Sequence, residues 1–251
     1  MSGKLIGVGT GPGDPELLTL KAVRVLNEAD VVAHFAKRRD DHLRGSRSNA
    51  RLSVEAHLRP GITELPLLYP VTTEIPKTHP DYTSTITAFY DQSARDIAGH
   101  LDAGRTVAVL SEGDPFLYGS YMHLHVRLAH CYPTEVVAGI SAMSGCWSAA
   151  GLPLVQGDDV LAVLPGTLAE DELARRLRDA QAAVIMKVGR NLPRIRRALA
   201  LAGKLDKAVY VERGTMSNGL MMPLAGKPDD DAPYFSLILV PGWDQRPEQA
   251  P

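Results

Sequence analysis

Two copies of the tripeptide Gly-Asp-Pro have the residue types and spacing that best suit chemistry in this sequence. They are Gly13-Asp14-Pro15 and Gly113-Asp114-Pro115, and each follows a short apolar run and precedes a segment of helical periodicity. Glycine permits positive φ and close approach of a ligand, aspartate accepts from free N–H groups at a helix start, and proline suits the first helical position. These features indicate that loop backbone binds a small molecule. A strand-to-helix turn without a ligand is the alternative for either copy alone.

The elements that position these turns alternate between strand and helix. In the first half, apolar runs predict strands at 5–9, 31–35, 64–68, 106–110 and 136–138, with amphipathic helices between them and Asp14 as the cap of the first. In a parallel sheet the strands' carboxyl ends share one edge, where ligands of α/β sheets bind. The small-residue turn Gly139-Ile140-Ser141-Ala142 joins the two Gly-Asp-Pro turns at that edge.

The second half resumes the alternation and ends differently. It predicts helices at 170–180 and 192–202, and strands at 160–164, 183–188, 208–212, 219–224 and 234–240. The short connections between the last three strands favour antiparallel pairing. Two α/β domains, with a mainly parallel sheet first and a mixed sheet second, fit this order better than one large sheet.

Composition excludes several classes of protein. The chain has 251 residues, net charge −2 and pI near 6.4, so no overall positive field attracts nucleic acid or an anionic membrane. The uncharged stretch 136–157 contains too many glycines and prolines for a membrane span. Two cysteines without a metal or disulfide spacing favour a reducing, cytoplasmic setting.

A nicotinamide dinucleotide is disfavoured as the ligand. Gly7, Gly9 and Gly11 begin a G-x-G-x-x-G pattern, but Pro12 and Asp14 occupy the positions needed to complete it. No acidic residue follows the second predicted strand either.

The turns and their context resemble the tetrapyrrole methylase family, whose members build sirohaem and cobalamin. The resemblance extends over nearly the whole chain in order and spacing. It rests on 8–22, which runs from Val8 through Gly-Asp-Pro to Ala22, on Glu112-Gly113-Asp114-Pro115-Phe116-Leu117-Tyr118-Gly119, on Gly139-Ile140-Ser141-Ala142, on Met186-Lys187-Val188-Gly189 and on Glu212-Arg213-Gly214-Thr215.

The resemblance implies two α/β domains (1–138 and 139–251), a homodimer, and S-adenosylmethionine bound in the cleft between the domains. It implies no nucleic-acid or membrane partner. It places Val188 and Gly214 of the second domain against the adenosine, although a one-residue shift would replace Val188 with Lys187. The other residues implied to bind the cofactor are Pro12, Glu112, Gly113, Asp114 and Leu117 in the first domain, and Ser141 and Ala142 at the start of the second.

Other stretches are similar to one branch of the family, the enzymes that methylate carbon 20 of precorrin-2. Relatives often have glycine where this chain has Glu112, so the departure adds a carboxylate to the turn. The branch is indicated by Glu64-Leu65-Pro66, Tyr69-Pro70-Val71-Thr72, Tyr118-Gly119-Ser120-Tyr121-Met122-His123-Leu124, Gly157-Asp158-Asp159-Val160-Leu161, Met186-Lys187-Val188 and Pro233-Tyr234-Phe235-Ser236.

The implied reaction is displacement at a sulfonium methyl group by an electron-rich carbon of a tetrapyrrole. Holding two reactants in line is worth roughly 7–11 kcal/mol, so no catalytic triad or dominant base is required. Glu112, Tyr118 and His123 are candidates to receive the departing proton, although an exposed helix residue is the simpler interpretation of His123. His123, His125 and His130 diverge on a helix and do not predict a metal site.

Arginines between 37 and 59 suit the acetate and propionate groups of a tetrapyrrole. Arg38 and Arg39, with Tyr118 and His123, are therefore the candidate substrate-binding residues, and a solvated loop is the alternative for the arginines.

Other functions stay open on sequence alone. They are a family enzyme acting on another tetrapyrrole carbon, on uroporphyrinogen III, on the cobalt form of the substrate or on a protein diphthine residue, a non-catalytic binder of the cofactor or a tetrapyrrole, and a nicotinamide oxidoreductase.

Overall fold

A computed structural model describes residues 2–37, 48–70 and 79–243 of the chain. The chain forms two compact units, Met1–Ala142 and Met143–Pro251. Each unit has its own five-stranded sheet. Among the described residues, none of the helices has the length and apolar character needed to cross a membrane.

Unit 1 contains a parallel sheet with helices on both faces. Its strands are β1 (Leu5–Gly9), β2 (Val31–Lys37), β3 (Thr63–Tyr69), β4 (Val107–Ser111) and β5 (Thr134–Val137). Its helices are α1 (Leu20–Glu28), α2 (Asn49–Ser53), α3 (Pro80–Asp102) and α4 (Tyr121–Leu128), and α5 (Ala142–Ala149) begins at its last residue.

The strand order β3-β2-β4-β1-β5 places β4, β1 and β5 side by side, all parallel. The continuous apolar runs of β1 and β4 are buried on both faces, as expected for central parallel strands. One core packs α3 and α4 against the sheet, and a second packs α1 and α2 against the opposite face. The loops after β1, β4 and β5 therefore emerge together at the carboxyl edge.

The first helix of unit 1 begins later than predicted. Asp14 accepts from the Glu16 N–H at 2.9 Å, but it caps only a short 3₁₀ turn over Pro15–Leu17. The chain then becomes extended, and the Thr19 hydroxyl accepts from the Ala22 N–H at 3.1 Å to start α1. The prediction that Asp14 caps the first amphipathic helix is wrong, because threonine supplies a second cap closer to the apolar stripe.

Unit 2 contains a mixed sheet, as predicted. Its strands are β6 (Leu161–Pro165), β7 (Ala182–Met186), β8 (Val209–Glu212), β9 (Leu220–Pro223) and β10 (Ser236–Val240), and its further helices are α6 (Glu170–Asp179) and α7 (Leu192–Leu201). The order is β6-β7-β10-β8-β9, with β10 antiparallel to both of its neighbours. Strands β7 and β8 consequently point the same way and end at one edge.

Candidate functional site

Three glycine-containing loops meet at the carboxyl edge of the unit 1 sheet. The loop after β1 and the loop after β4 form an isolated antiparallel bridge between Gly11 and Gly113. The Gly113 N–H donates to the Gly11 carbonyl at 2.8 Å, and the Gly11 N–H donates to the Gly113 carbonyl at 3.3 Å. Both glycines have positive φ, near +72° and +64°. The two Gly-Asp-Pro turns are thus joined through their backbone.

The third loop, after β5, packs directly on this bridge through Gly139. A Cβ at Gly139 would lie 2.0 Å from the Gly113 carbonyl oxygen, and a Cβ at Gly9 would lie 2.5 Å from the Gly139 Cα. Real side chains do not approach backbone so closely, so both positions require glycine. We call Gly9, Gly11, Gly113 and Gly139 the glycine cluster.

Asp114 links the loop after β4 to the loop after β5. Its Oδ1 accepts from the Phe116 N–H at 2.9 Å, and its Oδ2 accepts from the Gly139 N–H at 3.0 Å. Both carboxylate oxygens therefore accept from backbone N–H groups of their own unit. The side chain fixes the loops and leaves a negative charge beside the glycine cluster.

Buried Thr10 is a second link that sequence reasoning missed. Its N–H and its hydroxyl both donate to the Ser111 carbonyl, at 2.9 and 3.2 Å. Nothing in the local pattern around a threonine in a glycine turn indicates a partner 101 residues away.

Glu112 directly follows β4 and precedes Gly113 of the glycine cluster. The residue is exposed to solvent, yet its carboxyl group is surrounded by protein, and this desolvation raises its pKa. The Ala50 backbone N–H donates to the carboxyl group and opposes the rise. Glu112, at a position where relatives often have glycine, therefore connects this loop to the start of α2.

The other predicted residues of unit 1 lie around the same loops. The Ala142 N and the Ser141 Cα lie 3.5 and 3.7 Å from the place a Cβ on Gly113 would occupy. Pro12 and Leu117 are partly exposed. The unit thus brings Gly113, Ser141 and Ala142 together, with Ser141 and Ala142 partly exposed beside the buried Gly113.

Tyr118 lies in the loop between β4 and α4, and His123 lies in α4. Tyr118 has φ of 56° and a half-exposed side chain. The His123 ring stacks on Tyr90 with centroids 4.0 Å apart, and desolvation together with the nearby Arg127 charge lowers the His123 pKa. His123 is an exposed residue of α4, as the simpler interpretation predicted, and its stacking on Tyr90 is a contact that the sequence did not indicate.

An aromatic and hydroxyl cluster at the carboxyl ends of β2 and β3 surrounds that stack. The Tyr69 hydroxyl bonds the Ser120 hydroxyl, and the Tyr90 hydroxyl donates to the same Ser120 oxygen at 3.2 Å. Phe35 stacks on Tyr69 with centroids 5.6 Å apart. Sequence reasoning missed this set, although Ser120 directly follows the Gly-Asp-Pro-containing loop.

The predicted basic segment is only partly described. Arg38, Arg39, Arg44 and Arg47 lie outside the described residues. Arg51 is buried and donates to both Glu64 carboxylate oxygens, at 2.7 and 2.9 Å. The Arg51 side chain therefore has an internal partner.

Unit 2 has a corresponding edge where β7 and β8 end. Val188 is fully buried in the core of the unit, whereas the neighbouring Lys187 is exposed and has φ of 59°. Gly214 packs against Cys146: a Cβ there would lie 2.7 Å from the cysteine sulfur. Burial raises the pKa of the Cys146 thiol to about 11, which keeps it protonated.

Within the described parts of the chain, there is no group of three or more His, Cys, Asp or Glu side chains that is able to hold a metal ion. A cavity of about 350 Å³ lies at the opposite, amino edge of the unit 1 sheet, and Lys4, Arg24, Glu28, Thr106 and Glu135 contribute to its wall. This cavity is remote from the glycine cluster along the strands.

The family described as Tetrapyrrole (Corrin/Porphyrin) Methylases matches residues 4–223, and the chain belongs to this family. A Sinorhizobium protein named Precorrin-2 C(20)-methyltransferase is 69% identical over 245 residues, which make up 98% of each chain. A Mycobacterium tuberculosis protein named Cobalamin biosynthesis protein CobIJ is 48% identical over 97% of this chain and 47% of its own length.

The fold agrees with this membership. The solved structure of uroporphyrin-III C-methyl transferase from Thermus thermophilus, complexed with S-adenyl homocysteine, has a TM-score of 0.61 and 27% identity. It covers 95% of this chain, and this chain covers 97% of it.

Proposed function

We propose that this chain transfers the methyl group of S-adenosylmethionine to carbon 20 of precorrin-2, giving precorrin-3A in cobalamin biosynthesis. The observation that carries the proposal is the 69% identity over 98% of both chains with a relative named for that reaction. Sibling enzymes differ in the carbon that they methylate, so identity at this level over the full length is stronger support than the shared turns.

The glycine cluster supports donor binding because it fixes three loops at one edge of the sheet, where Pro12, Leu117, Ser141 and Ala142 are partly exposed. Residues proposed to bind the donor in unit 1 are Pro12, Glu112, Gly113, Asp114, Leu117, Ser141 and Ala142. When bound, S-adenosylmethionine supplies an electrophilic methyl group on a cationic sulfonium. The Asp114 carboxylate already accepts two backbone hydrogen bonds, so its charge is positioned but shared. Because the charge is shared in this way, it favours the cationic sulfonium without stabilising the bound donor so strongly that methyl transfer slows.

The reaction must also release a proton. A carbon–carbon bond forms to carbon 20, the carbon–sulfur bond of the donor breaks, and the proton lost from the acceptor passes to a base or to solvent. Glu112 is the proposed acceptor of that proton, because a carboxylate with a raised pKa is a better base near neutral pH than an ordinary one. Tyr118 and His123 are the alternative acceptors.

In unit 2, Val188 and Gly214 are proposed to contact the adenosine, with Lys187 as the alternative to Val188. The functional domain bounds 1–138 and 139–251, a homodimer and a cytoplasmic location belong to the same proposal. They rest on the family resemblance and on composition.

Incubation with precorrin-2 and S-adenosylmethionine labelled with ¹³C in the methyl group tests the proposal. We expect the NMR signal of the product at carbon 20 and one S-adenosylhomocysteine released per product. Parallel reactions use cobalt-precorrin-2 and uroporphyrinogen III as acceptors. Label at another carbon, or faster turnover of either alternative acceptor, would contradict the assigned reaction. Donor binding without S-adenosylhomocysteine release would indicate a non-catalytic binder.

A further inference from the structure

Arg51 is a charged residue that the fold buries, although it belongs to none of the loops of the glycine cluster. Its Nε and Nη2 donate to the two Glu64 carboxylate oxygens at 2.7 and 2.9 Å, and only 9% of its side chain is exposed. The third nitrogen, Nη1, is buried without a hydrogen bond in the described part of the chain, with Glu55 Oε1 3.7 Å away. A buried ion pair adds little net stability compared with apolar side chains of the same size, which favours a role in fixing geometry.

The ion pair holds a very short helix against the edge of the unit 1 sheet. Helix α2 has only five residues (Asn49–Ser53), too few to be stable without tertiary contacts. The Ser48 hydroxyl caps it by accepting from the Arg51 N–H at 3.2 Å, and this hydroxyl lies 3.4 Å from Nδ1 of the buried His34 on β2. Glu64 belongs to β3, the edge strand. Arg51 and Ser48 therefore anchor α2 to β3 and β2.

Helix α2 also contacts β4, the strand that leads directly into Glu112. Ala50 packs in one core with Ala108 and Leu110, which lie on the same side of β4. Side chains alternate along a strand, so Glu112 is the next residue on that side. The Ala50 N–H donates to its carboxyl group. Helix α2 thus lies between the Arg51 ion pair and the carboxyl group proposed to accept the proton.

The proton affinity of Glu112 depends on where α2 lies. Two causes shift the pKa of this carboxyl group: desolvation raises it, and the hydrogen bond from Ala50 lowers it. A displaced α2 would remove the hydrogen bond, and the carboxyl group would bind a proton more readily. The titratable groups that face Arg51 pair among themselves, and they are His34, Glu55 and Glu64.

We propose that Arg51 is a positioning residue for the methyl transfer: its ion pair with Glu64 holds α2 in the place where the Ala50 N–H meets the Glu112 carboxyl group. Arg51 acts through α2 and not by contact with either reactant. This inference rests on the proposed function, because it takes Glu112 as the acceptor of the proton.

The test compares Arg51→Met with Arg51→Lys and with Arg196→Met. Methionine keeps an unbranched stem and removes the charge, whereas lysine keeps the charge and loses the paired hydrogen bonds. Arg196 is the matched control in unit 2. It also joins a helix to a later segment, through an ion pair with Asp230 and a hydrogen bond to the Leu224 carbonyl at 2.9 Å.

Two measurements follow the Glu112 carboxyl group between pH 4 and pH 9. In kcat, we expect the acid limb to move up by about 1 pH unit in Arg51→Met, equivalent to one lost hydrogen bond to a charged group, and by less in Arg51→Lys. In ¹³C NMR, the Glu112 carboxyl signal, identified by its absence in Glu112→Gln, should titrate at higher pH in the same variants. Arg196→Met should change neither quantity, even if it unfolds at a lower urea concentration.

Either of two results would overturn the inference. The NMR midpoint of Glu112 could stay unchanged in folded Arg51→Met, or Arg196→Met could shift it equally, which would make the shift a general effect of lower stability. If Arg51→Met does not fold, Arg51→Lys decides in the same way.

Other failures concern the proposed function. An acid limb that persists in Glu112→Gln would contradict Glu112 as the proton acceptor, and failure of the unchanged protein to methylate precorrin-2 would contradict the assigned reaction. The NMR titration needs no turnover, so these failures are distinguishable from failure of the inference about Arg51.

Discussion

The two Gly-Asp-Pro turns of unit 1 have the same sequence, but their aspartates accept different sets of hydrogen bonds. Asp14 accepts from the N–H two residues ahead and caps a 3₁₀ turn. Asp114 makes the same local bond and also accepts from the Gly139 N–H, 25 residues away. The first aspartate therefore acts only within its own turn, whereas the second also links the loop after β4 to the loop after β5. The same tripeptide therefore has different structural roles at its two positions in this chain.

The residue two before each aspartate differs in a related way. Pro12 stands at this position in the first turn, where it fixes φ and has no N–H to donate. Glu112 stands there in the second turn, and its carboxyl group accepts from the Ala50 N–H. The second turn is thus connected both to the loop after β5 and to α2, which makes it the more sensitive of the two to substitution.

The largest effect is expected at the place where the loops touch. Gly139→Ala forces a Cβ to within 2.0 Å of the Gly113 carbonyl oxygen. We expect the free energy of unfolding to fall by about 3 kcal/mol, measured in urea, and S-adenosylhomocysteine affinity to fall at least tenfold. The control is Gly99→Ala on the exposed face of α3, where a Cβ meets nothing within 4 Å and helix propensity adds up to about 1 kcal/mol. Equal stability of the two variants would show that the loops are not packed as described.

The next test separates the two aspartates. Asp114→Ala removes two backbone hydrogen bonds and is expected to lower the free energy of unfolding by about 2 kcal/mol, with weaker S-adenosylhomocysteine binding. Asp14→Ala removes one cap and is expected to cost about 1 kcal/mol. Chemical denaturation and calorimetry on both variants measure the difference. If Asp14→Ala had the larger effect on either quantity, the comparison would be reversed.

A smaller, pH-dependent effect is expected for Glu112→Gln. Because burial raises the folded-state pKa, the carboxyl group favours folding while protonated, and this contribution is lost as the pH rises through the folded pKa. Glutamine has no charge to desolvate, so the stability of the variant relative to the unchanged protein should increase from pH 4 to pH 8. Thermal unfolding of both proteins across this pH range measures the difference in stability. A difference that stays constant with pH would remove desolvation as the cause.

The smallest effect is expected at the amino edge of the same sheet. Glu135 pairs with Lys4 and Lys21 at 2.5 Å each, and these hydrogen bonds lower its pKa from 4.5 to about 2. The pairing stabilises the folded state above pH 4.5, and the contribution is lost as the pH falls towards 2. Since the groups are largely solvated, Glu135→Gln should cost at most about 1 kcal/mol at pH 7 and leave S-adenosylhomocysteine affinity unchanged. Altered affinity would mean that the two edges are coupled.

Sequence patterns predicted local elements well because those elements are encoded locally. The apolar run of β1 was predicted at its observed bounds, and the alternation of elements indicated a parallel sheet followed by a mixed one. Contacts between loops that are distant in the chain are not indicated by any local sequence pattern. The bonds from Asp114 to Gly139 and from Thr10 to Ser111 depend on strand order, which spacing alone does not specify.

The ends of some strands were also predicted inaccurately. The seventh strand was predicted to reach Val188, but it ends at Met186 because Lys187 turns the chain with positive φ. The last strand was predicted from Tyr234, but it begins at Ser236. Both errors fall at the unit 2 edge, where backbone geometry departs from the regular pattern that periodicity detects.

The central position of β1 has a consequence for biosynthesis. Its neighbours β4 and β5 begin at Val107 and Thr134, so the amino-terminal strand emerges from the ribosome long before either of its partners. Pairings this distant close large loops and are slow to form. The glycine cluster therefore cannot assemble until Gly139 has been translated, and a nascent chain stalled before that residue would present an apolar strand in need of a chaperone.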